Sequence, residues 1–307
     1  MLAEVFYWVF NMSITGILTG IVIIILRQFR RIPRTICHIL WALPFLRLVL
    51  PFGLSHKYSI MNLLNRLSTR TRIIHITPSG SAFNVSLTNQ LALAKSYFPT
   101  IFKTNLLENI FNVASIIWII IAISALLTIG TLYFITKSEI KTAVLLKDNI
   151  YISDKLLSPA VFGIFRPRII LPEYISDKNN EFVLLHEQTH LKRGDNLFRI
   201  IAIIICCFHW FNPFIWLFLK LFLEDMELSC DELVLKKCGT ARKKEYAAAL
   251  IECEENKMLF ASAFGGAKIK VRIKNILSYK KLTLFSGLCF LALIIIITVT
   301  LLTNAVV

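Results

Sequence analysis

Leu197-Phe-Arg-Ile-Ile-Ala-Ile-Ile-Ile-Cys-Cys-Phe-His209-Trp-Phe-Asn212-Pro213-Phe-Ile-Trp-Leu-Phe-Leu-Lys-Leu-Phe-Leu223 is apolar and long enough to cross a bilayer. Before it stands Glu181-Phe-Val-Leu-Leu-His186-Glu187-Gln-Thr-His190, and after it the densest acidic segment of the chain, Glu224-Asp-Met-Glu227-Leu-Ser-Cys-Asp231-Glu232. A single straight helix would put these two segments on opposite faces of the membrane, about 30 Å apart. Pro213, however, removes a helix hydrogen bond in mid-run and biases Asn212 away from helical geometry. The stretch therefore reads as an apolar hairpin over 197–223 that returns Glu227 to the side of His190. Non-helical backbone at such a depth is tolerated only where protein or a polar cavity surrounds it.

The upstream segment reads as a helix carrying H-E-x-x-H. On a helix His186 and His190 lie one turn apart on the same face, so both imidazoles can bind one ion. Glu187 then faces a metal-activated water as general base. A catalytic Zn2+ needs a third protein ligand and an open fourth position. Spacing leaves Glu224 and Glu227 open as that ligand. Glu227 and Asp231 share a helix face, so one can bind metal while the other holds a ligand histidine. His209 at the hairpin tip is a candidate ligand or transition-state donor, or simply a structural hydrogen-bonding group.

The composition of the 307 residues, 56% hydrophobic and 17% charged, excludes soluble, disordered and fibrous classes and indicates a polytopic helical membrane protein. Val5–Leu26 is a first span, preceded by Glu4 and followed by Arg27, Arg30, Arg31 and Arg34, which places its C-terminal end inside. Thr35–Leu54 is a second, weaker run interrupted by Pro44, Arg47 and Pro51; Arg47 is given a packing role. A polar outer loop at about 55–109 follows, and it includes a glycosylation triplet at Asn84. Ile110–Thr136 is the third span. The expected organisation is three spans in 1–136, a cytoplasmic domain over 137–281, and a fourth span with a short tail over 282–307.

Net charge is +15, from 34 Lys+Arg against 19 Asp+Glu, which fits anchoring to anionic membrane lipid and argues against direct nucleic-acid binding. The seven cysteines include no CxxC pair, so neither a disulfide framework nor a cysteine-based zinc site is expected. Ser158-Pro-Ala-Val-Phe-Gly163-Ile-Phe-Arg166-Pro167-Arg168-Ile-Ile-Leu-Pro172 has short β-prone runs bracketed by prolines. It reads as edge strands, either a scaffold or a place for an extended substrate to add.

Taken together, H-E-Q-T-H, H-W-F-N-P, E-L-S-C-D and V-F-G-I-F-R-P-R-I-I-L-P resemble the BlaR/MecR-type membrane metallopeptidases, transducers of β-lactam sensing, over Val5 to Leu302. The resemblance implies a cytoplasmic α+β, gluzincin-like zinc metallopeptidase domain between the third and fourth spans. It also implies His186, His190 and Glu227 as metal ligands, Glu187 as the catalytic base and Asp231 as support for a ligand. By the same resemblance the partner is a cytoplasmic, dimeric winged-helix repressor of antibiotic-resistance genes, cleaved to relieve repression. Phe260-Ala-Ser-Ala-Phe-Gly265-Gly266 is either a self-cleavage site or a plain linker. The family's extracellular penicillin-binding domain has no counterpart in this chain, so direct β-lactam acylation is not expected of it. Competing readings are a housekeeping membrane protease, a non-proteolytic sensor or adaptor, and a transporter. The signal and the oligomeric state, a homodimer included, are not readable from the sequence.

Overall fold

The computed structural model describes residues 2–50, 56–62, 105–173, 180–255 and 268–303, apart from residues 30, 61, 155, 157, 165 and 282. The Asn84 triplet and the Phe260–Gly266 segment lie outside the described residues.

Among those residues, three helices are long and apolar enough to cross a membrane: α1 (Leu2–Gln28), α4 (Asn105–Glu139) and α10 (Leu284–Leu302). Each is unbroken because it lacks proline and carries almost no charge, and α10 opens on Thr283, whose hydroxyl accepts from the Ser286 N–H. The apolar flanks of α4 and α10 face outward, with Ile120, Leu127, Leu284 and Phe285 exposed, which suits contact with lipid.

Over its described residues the second apolar run is not one long helix, and residues 51–54 of it lie outside the described ones. It folds instead as α2 (Arg34–Leu40) and α3 (Ala42–Val49), of seven and eight residues. Pro44 falls within the first turn of α3, where its missing N–H costs nothing. Leu50, which precedes Pro51, is extended, as the residue before a proline prefers. Arg47 is buried, and its Nη2 donates to the Thr303 carbonyl 3.1 Å away, tying α3 to the end of α10.

A four-stranded sheet follows α4. Its strands are β1 (Val144–Lys147), β2 (Ile150–Ser153), β3 (Ala160–Phe162) and β4 (Arg168–Pro172), in the order β1-β2-β4-β3. β2 and β4 run parallel, and the two outer pairs are antiparallel. β3 is an edge strand, as its flanking prolines predict. β4 is interior, because Pro167 precedes it and Pro172 falls at its last position, leaving Ile169, Ile170 and Leu171 free to pair and to bury. The sheet packs through Ile169 and Leu171 onto Val183 of α5 (Asn180–Arg193).

Gly194, at φ +69°, ends α5 and starts α6 (Asp195–Phe208). α7 (Pro213–Cys238) then doubles back, with Pro213 in its first turn and Asn212 Oδ1 accepting from the Phe214 N–H. The tip of this hairpin plugs into the spans. Trp118 Nε1 of α4 donates to the Phe208 carbonyl at 2.7 Å, Asn212 Nδ2 donates to Ser13 Oγ of α1 at 2.6 Å, and His209 Nε2 donates to the Leu48 carbonyl at 3.1 Å. These bonds satisfy polar groups that an apolar environment would otherwise strand.

α8 (Lys243–Glu255) and α9 (Ile269–Ser278) complete the unit, packing Tyr246, Leu250 and Ile276 against Phe182 and Val234. Midway along α7, the C-terminal end of α1 is held by charge. Arg27 donates to both Asp225 oxygens at 2.8 and 2.9 Å and to Glu224 at 2.8 Å, and Trp41 Nε1 donates to Asp225 at 2.9 Å. Glu232 accepts from the Arg34 and Thr35 backbone N–H groups at 2.9 and 3.0 Å, capping α2. Helices α1 and α7 also approach so closely that a Cβ on Gly20 would meet the Phe218 ring at 2.2 Å. Gly20→Ala is expected to destabilise the protein by about 1–3 kcal/mol through overpacking, read as a lowered thermal midpoint in detergent.

Candidate metal centre

Helix α5 presents His186 and His190 one turn apart, and α7, returned by the hairpin, presents Glu227 opposite them. The two Nε2 atoms are 3.1 Å apart, and Glu227 Oε2 lies 3.5 Å from the first and 3.6 Å from the second. Ligands on one tetrahedral zinc, at about 2.0–2.1 Å from it, are separated by about 3.3 Å, so these three donors match one face of such a shell. Glu187 stands on the same helix, with only 8% of its surface exposed.

The other ring nitrogen of each histidine is committed elsewhere. His190 Nδ1 is 2.5 Å from Asp195 Oδ2, the residue that opens α6. His186 Nδ1 is 2.9 Å from the Tyr246 hydroxyl, which itself donates to Asp231 Oδ1 at 2.6 Å. In the neutral form of each ring these partners favour the proton on Nδ1, which leaves the Nε2 lone pair directed at Glu227. Asp195 is held in turn by Arg193, which donates to both of its oxygens and reaches across to Ser229 Oγ at 2.7 Å and the Met226 carbonyl at 3.0 Å on α7. Asp231, fully buried, also receives Arg272 of α9 at 2.7 and 2.9 Å. Arg272 Nη2 lies 3.2 Å from His186 Nε2, and its Nη1 lies 3.6 Å from Glu227 Oε2.

Opposing charges set the protonation of this cluster. Burial alone would lower His186, but Cys230 and Glu227 outweigh it and raise the imidazole to about 9. His190 is raised well above its ordinary value for the same reasons, against the same burial penalty. Burial would push Glu227 up, yet His190, His186 and Arg272 hold it well below the usual carboxylate range. Burial likewise opposes ionisation of Cys230, and the two imidazoles override it and lower the thiol.

The structure thus brings together His186, Glu187, His190, Glu227 and Asp231. Glu224 points away to Arg27. His209 is not brought there: it sits at the hairpin tip, 18 residues from Glu227 in sequence and about 20 Å along α7, bonded to the Leu48 carbonyl. Sequence reasoning missed Asp195, Arg193, Tyr246, Arg272 and Cys230. Asp195 had a legible signal in the Gly-Asp turn that follows the motif helix. Cys230 was set aside for want of a CxxC pair, although its place three residues after Glu227 puts it on the same helix face. Its sulfur and one ring nitrogen from each of His186 and His190 all lie within 4.8 Å of one another.

The BlaR1 peptidase M56 sequence profile matches residues 7–276, most of the chain and both halves of the cluster. The chain belongs to the BlaR1 peptidase M56 family. BlaR/MecR-type relatives include the regulatory protein BlaR1 of Bacillus licheniformis, 34% identical over 138 residues, or 42% of this chain and 23% of that protein. The methicillin resistance mecR1 protein of Staphylococcus aureus (strain Mu50) is 30% identical over 105 residues, 33% of this chain and 18% of that one. BlaR1 of Staphylococcus aureus is 25% identical over 266 residues, 77% of this chain and 44% of the relative. The chain thus matches less than half the length of each of these relatives.

The hydrogen-bond partner of each candidate ligand histidine can be tested by substitution. Asp195→Asn is expected to weaken metal binding by about 10–100-fold, because the amide neither fixes the His190 tautomer nor raises its basicity. Competition against a chromogenic chelator measures it.

Proposed function

We propose that this protein is a zinc-dependent membrane endopeptidase that cleaves a cytoplasmic winged-helix repressor and so transmits an envelope or antibiotic signal. One observation carries the reading: His186 Nε2, His190 Nε2 and Glu227 Oε2 converge at spacings suited to a single ion, with Glu187 beside them on the motif helix. Three ligands rather than four leave room for chemistry.

When bound, zinc supplies Lewis acidity and lowers the pKa of water toward about 7. Glu187 takes the proton of the attacking water and returns it to the leaving amine. Asp195 and Tyr246 hold the imidazoles in the tautomer that faces the ion. Arg272, gripped by Asp231, keeps a buried cation beside His186 and Glu227, where it can meet negative charge developing on the scissile carbonyl oxygen. Among the described residues β3 has no strand on its outer side, and it lies against α5, so an extended substrate can add there by backbone hydrogen bonds.

The cytoplasmic placement is supported by Arg27 and Arg34. These basic residues after the first span mark its inner end by the positive-inside bias, and both contact Asp225, two residues from Glu227.

The test is incubation of the full chain in lipid nanodiscs with a purified winged-helix repressor. Cleavage at one bond, abolished by a chelator and restored by Zn2+, is expected. Many cuts in unrelated unfolded proteins would favour a quality-control protease, and an intact repressor with zinc bound would favour a non-proteolytic sensor.

A further inference from the structure

Cys230 lies between Glu227 and Asp231 in sequence, and at three and four residues' spacing all three share the face of α7 that meets α5. Its side chain is fully buried, and its thiol donates to the His186 carbonyl at 3.5 Å. The sulfur and one ring nitrogen from each of His186 and His190 lie within 4.8 Å of one another. A nitrogen and a sulfur on one tetrahedral zinc are about 3.5 Å apart, from bonds of about 2.0 and 2.3 Å. A modest side-chain adjustment therefore brings Sγ to the remaining vertex above the His186, His190 and Glu227 face. Thiolate sulfur is among the preferred donors for zinc. Packing at this position would be met by any small side chain; what stands there is a fourth donor in a site whose chemistry needs the fourth position open.

We propose that Cys230 is a direct ligand of the bound metal in the resting protein, closing a shell of two histidines, a glutamate and a cysteine. The peptidase is then latent until the sulfur withdraws. On withdrawal the sulfur–metal bond breaks, the sulfur keeps both electrons and takes up a proton from water, and nothing is oxidised or reduced. This inference rests on the metallopeptidase reading for the presence of the ion, but not on which bond is cut.

The experiment is X-ray absorption at the zinc edge on the full chain in nanodiscs, for wild type, Cys230→Ser and Cys230→Ala. Wild type should show one sulfur scatterer at about 2.3 Å, lost in both variants with metal stoichiometry retained. With Co2+ in place of zinc, the thiolate-to-metal charge-transfer band in the near ultraviolet should vanish in the same variants. Basal repressor cleavage by Cys230→Ala should exceed that of wild type. Bound zinc in wild type with only nitrogen and oxygen neighbours overturns the proposal and leaves the three-ligand site standing. A sulfur signal that persists in both variants also overturns it, since another cysteine would be the source. Wild type that binds no metal overturns this proposal and the peptidase reading together. If neither variant folds, the wild-type spectrum alone decides.

Discussion

Glu187→Gln is expected to lower the rate of repressor cleavage by about 10²–10⁴-fold while the protein keeps its metal. The substitution preserves size and hydrogen-bonding reach, so the helix and its two histidines are undisturbed, but an amide cannot accept the water proton or deliver it to the leaving amine. None of the close donor contacts of the cluster involves Glu187, so its loss should leave the His186, His190 and Glu227 triangle intact. Single-turnover cleavage, read beside zinc content by elemental analysis, separates the two effects. Undiminished cleavage by the variant would remove Glu187 as the base, and loss of zinc would recast it as a ligand.

Asp231→Ala is expected to cost about 3–5 kcal/mol of folding stability, because it takes from the buried Arg272 guanidinium its closest, doubly hydrogen-bonded counter-ion and leaves only Glu227 at 3.6 Å. It should also weaken zinc binding by about 10–100-fold, since Tyr246 loses the acceptor that fixes its hydroxyl toward His186. The double variant Asp231→Ala, Arg272→Met removes the stranded charge and should recover much of the stability. It should recover none of the affinity, because Tyr246 remains unanchored. Thermal unfolding in detergent and zinc competition, measured on all three variants, give the cycle. Equal affinity in wild type and Asp231→Ala would show that the tyrosine bridge has no hold on the metal.

The parts of this molecule that sequence makes legible are those set by local rules. H-E-x-x-H needs only helical spacing, and the two longest spans need only length and apolarity. The turn at Asn212-Pro213 is announced by the covalent restriction of proline itself. Thr35–Leu54 is harder to read because its hydrophobicity is divided: Leu40, Trp41 and Leu48, each at most 1% exposed, pack among helices, while Ile39, Leu46 and Val49 face outward. His209 misleads because its polar ring, set in an apolar run, is spent on the Leu48 carbonyl. Tyr246 and Arg272 reach the site from helices beyond the motif, and no local pattern marks a residue whose partner is met only after the chain has folded. Cys230 carries no local signal, since no second cysteine stands at CxxC spacing from it.

The grip of Arg27 on Glu224 and Asp225 has a mechanical corollary. The guanidinium stands in the last turn of α1, and the carboxylates it holds lie three and two residues before Glu227 on the same helix, with no flexible linker between them. A piston stroke or an axial twist of that span thus becomes torque on the helix that carries the third ligand, through bonds about 2.8 Å long. In this architecture only Met226 separates the carboxylate gripped by α1 from Glu227.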